Sequence, residues 1–222
     1  MGEGCTTGVV FDSGDGVSHV IPVVEGFVQS FAIRRLNLAG RHVTNYLVRL
    51  LMLSGYAFNS SADFETVRDI KEQMCFVAYD YEKQKKLANE TTLMTKEYNL
   101  PDNSVIKVGR ERYEAAECLF KPSLVGIEAP GIHEMIYDSL TSIEMDLFLP
   151  LVQRITITGG TTMFPGLSSR LDKELRTLFT NGKYKGDASR IGKTGMTVHD
   201  PPRRKHAVFI GASFLANNAP DA

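Results

Sequence analysis

Residues 8–23 constrain the fold more than any other stretch. Gly8-Val9-Val10-Phe11-Asp12 runs into Ser13-Gly14-Asp15-Gly16, and Val17-Ser18-His19-Val20-Ile21-Pro22-Val23 follows. Two β-branched runs flanking an Asp-Gly turn specify two antiparallel strands joined by a tight connection. A third strand is expected near residues 29–35. Downstream, apolar periodicity switches to the helical spacing. Val43, Tyr46, Leu47, Leu50 and Leu51 mark a helix over 39–54, with Gly55 as its stop. Asp63 reads as the N-cap of a helix running to about Tyr79, with Val67, Ile70, Met74 and Val77 as its buried stripe.

Residues 93–109 read as a hairpin around Pro101-Asp102-Asn103, and a short helix is expected from Tyr113 or Ala115 to before Pro122. Ile132, Met135, Ile136, Leu140, Ile143 and Leu147 predict one amphipathic helix. Arg154-Ile155-Thr156-Ile157-Thr158 is a strand that enters Gly159-Gly160 and then a helix carrying Leu167, Leu171, Leu175 and Leu178. Residues 180–195, rich in glycine and lysine, read as a mobile surface loop. A short strand at 197–199 and a helix over 207–216 complete the order. Strands alternating with helices make this an α/β protein.

Composition narrows the function. The 222 residues carry 25 Lys+Arg against 26 Asp+Glu, which argues against a general nucleic-acid or membrane-surface binder. No apolar run approaches the ~20 residues of a membrane span; the run 47–53 is broken by Arg49. The Met1–Gly8 segment has neither the basic start nor the apolar stretch of a signal peptide. Cys5, Cys75 and Cys118 are too scattered for a disulfide frame or a zinc site, so a reducing, cytosolic compartment is expected. Asn59-Ser60-Ser61 and Asn89-Glu90-Thr91 are then chance sequons.

Three groups of residues carry candidate chemistry. Asp12-Ser13-Gly14-Asp15-Gly16 places glycines where backbone N–H groups can approach a phosphate and a carboxylate where it can hold hydrated Mg²⁺, with His19 on the next strand to orient a water. The same residues also serve as a plain hairpin turn. Arg68, Lys71 and Glu72 share one helix face, fit to hold a base edge or a ribose hydroxyl, or simply an Arg68–Glu72 ion pair. Gly159-Gly160-Thr161-Thr162-Met163-Phe164-Pro165-Gly166 leads from a strand into a helix, either as a nucleotide loop or as a tight turn. The basic run Pro201-Pro202-Arg203-Arg204-Lys205-His206 fits a phosphate, nucleic acid or an acidic partner. His42, His133 and His199 lack partners at metal-ligand spacing and read as structural.

Taken together and in this order, these motifs resemble the actin superfamily over residues 6–216. Asp12 to Val17 with His19 resembles its second phosphate loop, Leu38-Ala39-Gly40-Arg41 the start of its outer subdomain, Val67 to Glu72 its base-binding helix, and Gly159 to Gly166 its adenosine loop. The resemblance implies an actin-like ATPase fold of the ribonuclease H-like kind. Only the second lobe is implied: an inner α/β subdomain (1–38 and 131–216) with an inserted outer subdomain (39–130) and a tail (217–222). It implies ATP and Mg as cofactors. Gly14, Asp15, Gly16 and Val17 would cradle the phosphates, and Asp12 would hold Mg through water. His19 would help place an attacking water. Arg68, Lys71 and Glu72 would hold base and ribose. Gly40, Gly159, Gly160, Thr161, Thr162, Met163 and Phe164 would line the pocket, with Lys205 at its rim. Phe164 stands where actins usually have tyrosine, and Asn37 and His42 replace two aspartates beside Ala39-Gly40-Arg41.

Within the superfamily, residues 55–59, 61–68, 86–92 and 200–206, and the long loop before Thr197, resemble an actin-related branch. Members of that branch act in the cytoplasm and cytoskeleton. They sit beside actin-related protein 3 in a seven-subunit complex that seeds branches on actin filaments, as nucleotide switches more than as enzymes. The family's first phosphate loop, its lysine and its water-positioning glutamine have no counterpart here, so weak or no ATP binding and no useful hydrolysis are expected of this chain. Exposed apolar surface is expected as well. The other readings are a divergent filament-forming actin, a sugar kinase of the same fold, and a half-length interaction module.

Overall fold

The computed structural model describes residues 5–218. In chain order the strands are β1 Gly8–Ser13, β2 Ser18–Val24, β3 Phe27–Val28, β4 Arg34–Leu36, β5 Lys96–Asn99, β6 Val105–Val108, β7 Ile155–Thr158 and β8 Val198–His199. The helices are α1 Gly40–Leu53, α2 Ser61–Met74, α3 Tyr81–Glu90, α4 Glu111–Glu117, α5 Ile132–Thr141, α6 Met145–Val152, α7 Leu167–Asn181, α8 Ala188–Thr194 and α9 Ala207–Asn218. The main sheet runs β3-β2-β1-β7-β8, with β4 also on β2. β1 and β2 pair antiparallel with Phe11 opposite Val20, while β7 lies parallel to β1 with Ile157 beside Phe11. Buried Val9, Phe11, Val20, Ile155 and Ile157 put this sheet at the core. α5 and α6 pack on β2 and β1, and α7 packs on α5 and β8. α1, α2, α4 and the β5–β6 hairpin are spliced in between β4 and α5. Mixed α/β architecture is what the sequence leads one to expect; the parallel β1–β7 pair is a finding of the structure.

Several boundaries differ from expectation, each for a local reason. The third strand is two short ones, β3 and β4, separated by a 3-10 turn at Ser30–Ala32. Ala32 is buried there and its carbonyl accepts the Ser139 hydroxyl at 2.7 Å. α2 begins at N-cap Ser60, not Asp63. Ser60 Oγ accepts the Asp63 N–H and the Asp63 carboxylate accepts the Ser60 N–H at 2.7 Å, a reciprocal cap. That backbone donation holds the Asp63 carboxyl below its usual range. α2 stops at Met74 rather than near Tyr79, because Phe76 N–H bonds Arg112 O and Val77 N–H bonds Pro165 O. Tertiary acceptors there outcompete the helical ones.

α3 has no buried residue, so no apolar stripe announced it; Asp80 caps it by accepting the Lys83 N–H. α4 starts at Glu111, earlier than expected. The single helix expected over 132–147 is two. The Thr141 and Ser142 hydroxyls donate back to Tyr137 O and Ser139 O, satisfying the carbonyls at the break. Residues 180–195, expected as a loop, carry the end of α7 and the whole of α8. Asp187 caps α8 by accepting the Ser189 N–H at 3.0 Å, and Ile191, Thr194 and Met196 are buried. Residues 1–4 of the expected inner subdomain and 219–222 of the expected tail lie outside the described residues, while 217 and 218 close α9. α9 exposes Val208, Phe209 and Phe214, in line with the expected apolar surface. No helix among the described residues is long and apolar enough to cross a membrane.

Candidate functional site

The turn between β1 and β2 comes first. Gly14 N–H bonds Val17 O at 3.1 Å and closes it. The amides of Asp15, Gly16 and Val17 are left without an intramolecular acceptor among the described residues. Successive free amides at a turn form an anion-binding concavity. Two elements clamp the turn from outside. At the start of α1, Gly40 N–H donates to Gly14 O (3.1 Å) and Arg41 N–H to Asp15 O (2.8 Å), and the Arg41 guanidinium pairs with the Asp15 carboxylate at 2.8 Å. From the loop after β7, the Thr161 hydroxyl donates to the same Gly14 O at 2.6 Å. That loop turns at Gly159, whose φ of +92° only glycine tolerates readily. A Cβ there would sit 2.3 Å from Ser13 O and 2.7 Å from Asp12 Oδ1.

These contacts enclose a cleft of about 430 Å³. It is lined by Gly14, Asp15 and Gly40, by Arg68, Lys71 and Glu72 of α2, and by Gly160, Thr161, Met163, Phe164 and Lys205. Lys71 is buried, and its Nζ donates to Gly40 O (3.2 Å) and Thr44 Oγ1 (3.0 Å). No carboxylate oxygen lies within ion-pair distance of it among the described residues. Burial therefore depresses its pKa, and the carboxylates of Glu72 and Asp15 do not reverse that. Arg68 is half-exposed; it pairs with Glu65 at 2.7 Å and only loosely with Glu72 at 4.0 Å. The plain i,i+4 pair is thus the weaker of its two contacts. Phe164 is buried and Met163 partly exposed, which gives the cleft an apolar wall.

Asp12, the next-to-last residue of β1, lies beside Thr158 of β7 and opposite His19 on β2. Asp12, His19, Gly16, Val17, Gly159 and Thr162 lie around the cleft without lining it. Thr162 is fully buried, and its hydroxyl donates to Gly159 O. Sequence reasoning missed Thr44, which only the packing of α1 on α2 brings to Lys71. It also missed Arg204, whose carbonyl accepts the Thr158 hydroxyl at 2.7 Å and the Gly159 N–H at 3.2 Å. Arg204 belonged to a run read for its charge alone. No cluster of His, Cys, Asp and Glu fit to hold a metal directly occurs among the described residues. The cleft thus joins the free amide of Asp15 and a desolvated cation to an apolar wall of Phe164 and Met163 and to the exposed Lys205. Polar and charged groups set beside an apolar wall are the usual make-up of a small-molecule site.

Comparison with known proteins agrees with this fold. The actin family model matches residues 2–220. Actin-related protein 2 of Saccharomyces cerevisiae is 51% identical over 97% of this chain and 55% of its own length. Actin-related protein 2 of Acanthamoeba castellanii is 50% identical over 96% of the chain and 55% of its own length. That of Drosophila melanogaster is 48% identical over 99% and 55%. The chain spans about half the length of these curated relatives. It belongs to the actin family.

Proposed function

We propose that the cleft is one wall of a Mg-ATP site. On this reading the chain is the second-lobe portion of a subunit resembling actin-related protein 2, divided into an inner subdomain (1–38, 131–216) and an outer one (39–130). The observation that carries the reading is convergence: segments 14–15, 40, 68–72, 160–164 and 205 meet at one cleft. The residues fit the ligand. The free amide of Asp15 lines the cleft, and those of Gly16 and Val17 follow it in the same turn, an arrangement that suits phosphate oxygens. Among the described residues, Lys71 is a buried cation held only by neutral oxygens. A Cβ at Gly40 would lie 2.7 Å from Thr161 Oγ1 and 3.5 Å from Lys71 Nζ, so the absent side chain keeps that corner open. Asp12 would hold Mg through water and His19 would help orient a water. Arg68 and Glu72 would take base and ribose, and Phe164 and Met163 would pack on the adenine.

Bound Mg supplies charge neutralisation between phosphates. This chain's residues bind and orient, and the outcome is closure of two lobes rather than rapid turnover. We further propose the cytoplasm and cytoskeleton as location, and actin-related protein 3, the other subunits of the branching complex and actin filaments as partners. Each charge-assisted hydrogen bond is worth ~1.5–3 kcal/mol, so one wall alone binds ATP weakly. Photolabelling with 8-azido-ATP and Mg tests the site. Label competed by ATP is expected within 159–166, at 205 or within 68–72. No competable label, or label only beside the separate cavity of Phe120 and His133, sinks the proposal, and tight ATP binding in calorimetry sinks its single-wall part.

A further inference from the structure

Arg204 does not line the cleft, although its neighbour Lys205 does. Its guanidinium is taken up by backbone carbonyls. Nε and Nη2 donate to Thr162 O at 3.4 and 3.2 Å, and Nη1 donates to Asp200 O and Pro201 O at 3.2 and 3.3 Å. Its carbonyl accepts the Gly159 N–H and the Thr158 hydroxyl. One residue thus grips both ends of segment 158–162, and it does so through neutral oxygens, with no carboxylate in ion-pair distance among the described residues. A rigid fork of donors can reach three carbonyls at once, and a lysine ammonium on a flexible stem cannot hold that geometry. Inside the gripped segment, Thr161 passes the constraint on through its bond to Gly14 O.

We propose that Arg204 is a positioning residue of the cleft. It sets the height of the 159–164 wall and of Lys205 above the sheet, and through Thr161 it steadies the amide turn at 14–17. Its consequence for a ligand rests on the nucleotide reading; the clamp itself does not. The rival account is that Arg204 merely adds positive charge near an anion.

Arg204→Lys and Arg204→Ala separate the two, with Lys205→Gln as reference. Hydrogen exchange is read over peptides covering 156–166, alongside 8-azido-ATP labelling and thermal melting. Under the clamp, both Arg204 variants speed exchange in 156–166 by about fivefold to tenfold, the scale of one or two lost hydrogen bonds, and reduce labelling of 159–166 alike. Lys205→Gln leaves exchange unchanged and reduces labelling in a salt-dependent way. Methylguanidinium restores protection in Arg204→Ala, and methylammonium does not. Wild-type exchange and labelling in Arg204→Lys would overturn the clamp in favour of charge. A rise in exchange spread evenly over the chain would overturn it in favour of general destabilisation. If wild type takes no ATP-competable label, the nucleotide reading fails while the exchange arm still decides the clamp.

Discussion

Lys71 and Arg170 are equally buried, each 7% exposed, and their surroundings are opposite. Arg170, on α7, has both Glu117 oxygens at 3.0 and 3.2 Å, the Glu174 carboxylate at 2.6 Å and Ala78 O at 2.7 Å, and it lies over the Phe120 ring. Burial pulls its pKa down, but the two carboxylates outweigh that and it ends above its usual range. Burial pushes the Glu117 carboxyl up against the pull of Arg170; with both oxygens on the guanidinium, we take it as ionised. Lys71 has, among the described residues, only a carbonyl and a hydroxyl. One cation is finished by the fold and the other is not. A buried charge that the fold leaves unmatched marks a place where a ligand's charge is expected.

The largest test removes a partner from the finished site. Glu117→Ala strips two of the bonds on Arg170 and leaves a buried guanidinium leaning on the half-buried Glu174. Breaking such a pair costs about 3–5 kcal/mol, read as a lower midpoint in urea. Replacing both members, Glu117→Leu with Arg170→Met, should recover most of that loss. If the single variant melts like wild type, the pair is not holding α4 to α7 and the contrast with Lys71 collapses.

The unfinished site is held by backbone contacts, so it breaks by shape rather than by charge. Gly159→Ala forces a side chain into φ +92°, which costs about 1–3 kcal/mol for conformation alone, and the contact with Ser13 O adds to it. Lower stability and loss of ATP-competable label are expected together. Thr161→Val keeps the shape and deletes only the hydroxyl on Gly14 O. That should cost about 1 kcal/mol, with faster exchange at residues 14–17. An unchanged exchange pattern would mean that the turn stands without its outer clamp.

Legibility followed the same divide between local and tertiary causes. The hairpin at 8–23 was readable because alternation and an Asp-Gly turn are local instructions, and so was the stripe of α1. The cleft residues were readable because short motifs kept their order along the chain, although no spacing rule says that 14, 71 and 161 meet. α3 was invisible because a helix without a buried face has no apolar period. α8 was missed because a lone Ile191 among glycines and lysines looks like a loop until it finds a core. The early end of α2 depends on Arg112 and Pro165, far away in sequence. Thr44 carries no motif, and the run that holds Arg204 speaks only of charge; their roles are set by neighbours that only folding supplies.

The smallest stability effect is the sharpest test of the contrast. Lys71→Met removes a buried cation that has no ionic partner and puts an apolar chain of similar length in its place. The change in stability should lie within about 1 kcal/mol of zero at neutral pH, tending to a gain, because desolvating the charge had cost as much as its two hydrogen bonds returned. ATP-competable labelling should nonetheless fall. The pH dependence fixes the cause. The folded pKa of Lys71 lies below its ordinary 10.5, so between the two values the unfolded chain binds the extra proton. Wild-type stability therefore gains with rising pH across that window, and Lys71→Met lacks the gain. Tyr46, Tyr81 and Tyr113 have pKa values raised by burial, but they are common to both proteins and cancel in the difference. A wild-type minus variant difference flat from neutral to alkaline pH would show that Lys71 is matched after all, and the two buried cations would then be alike.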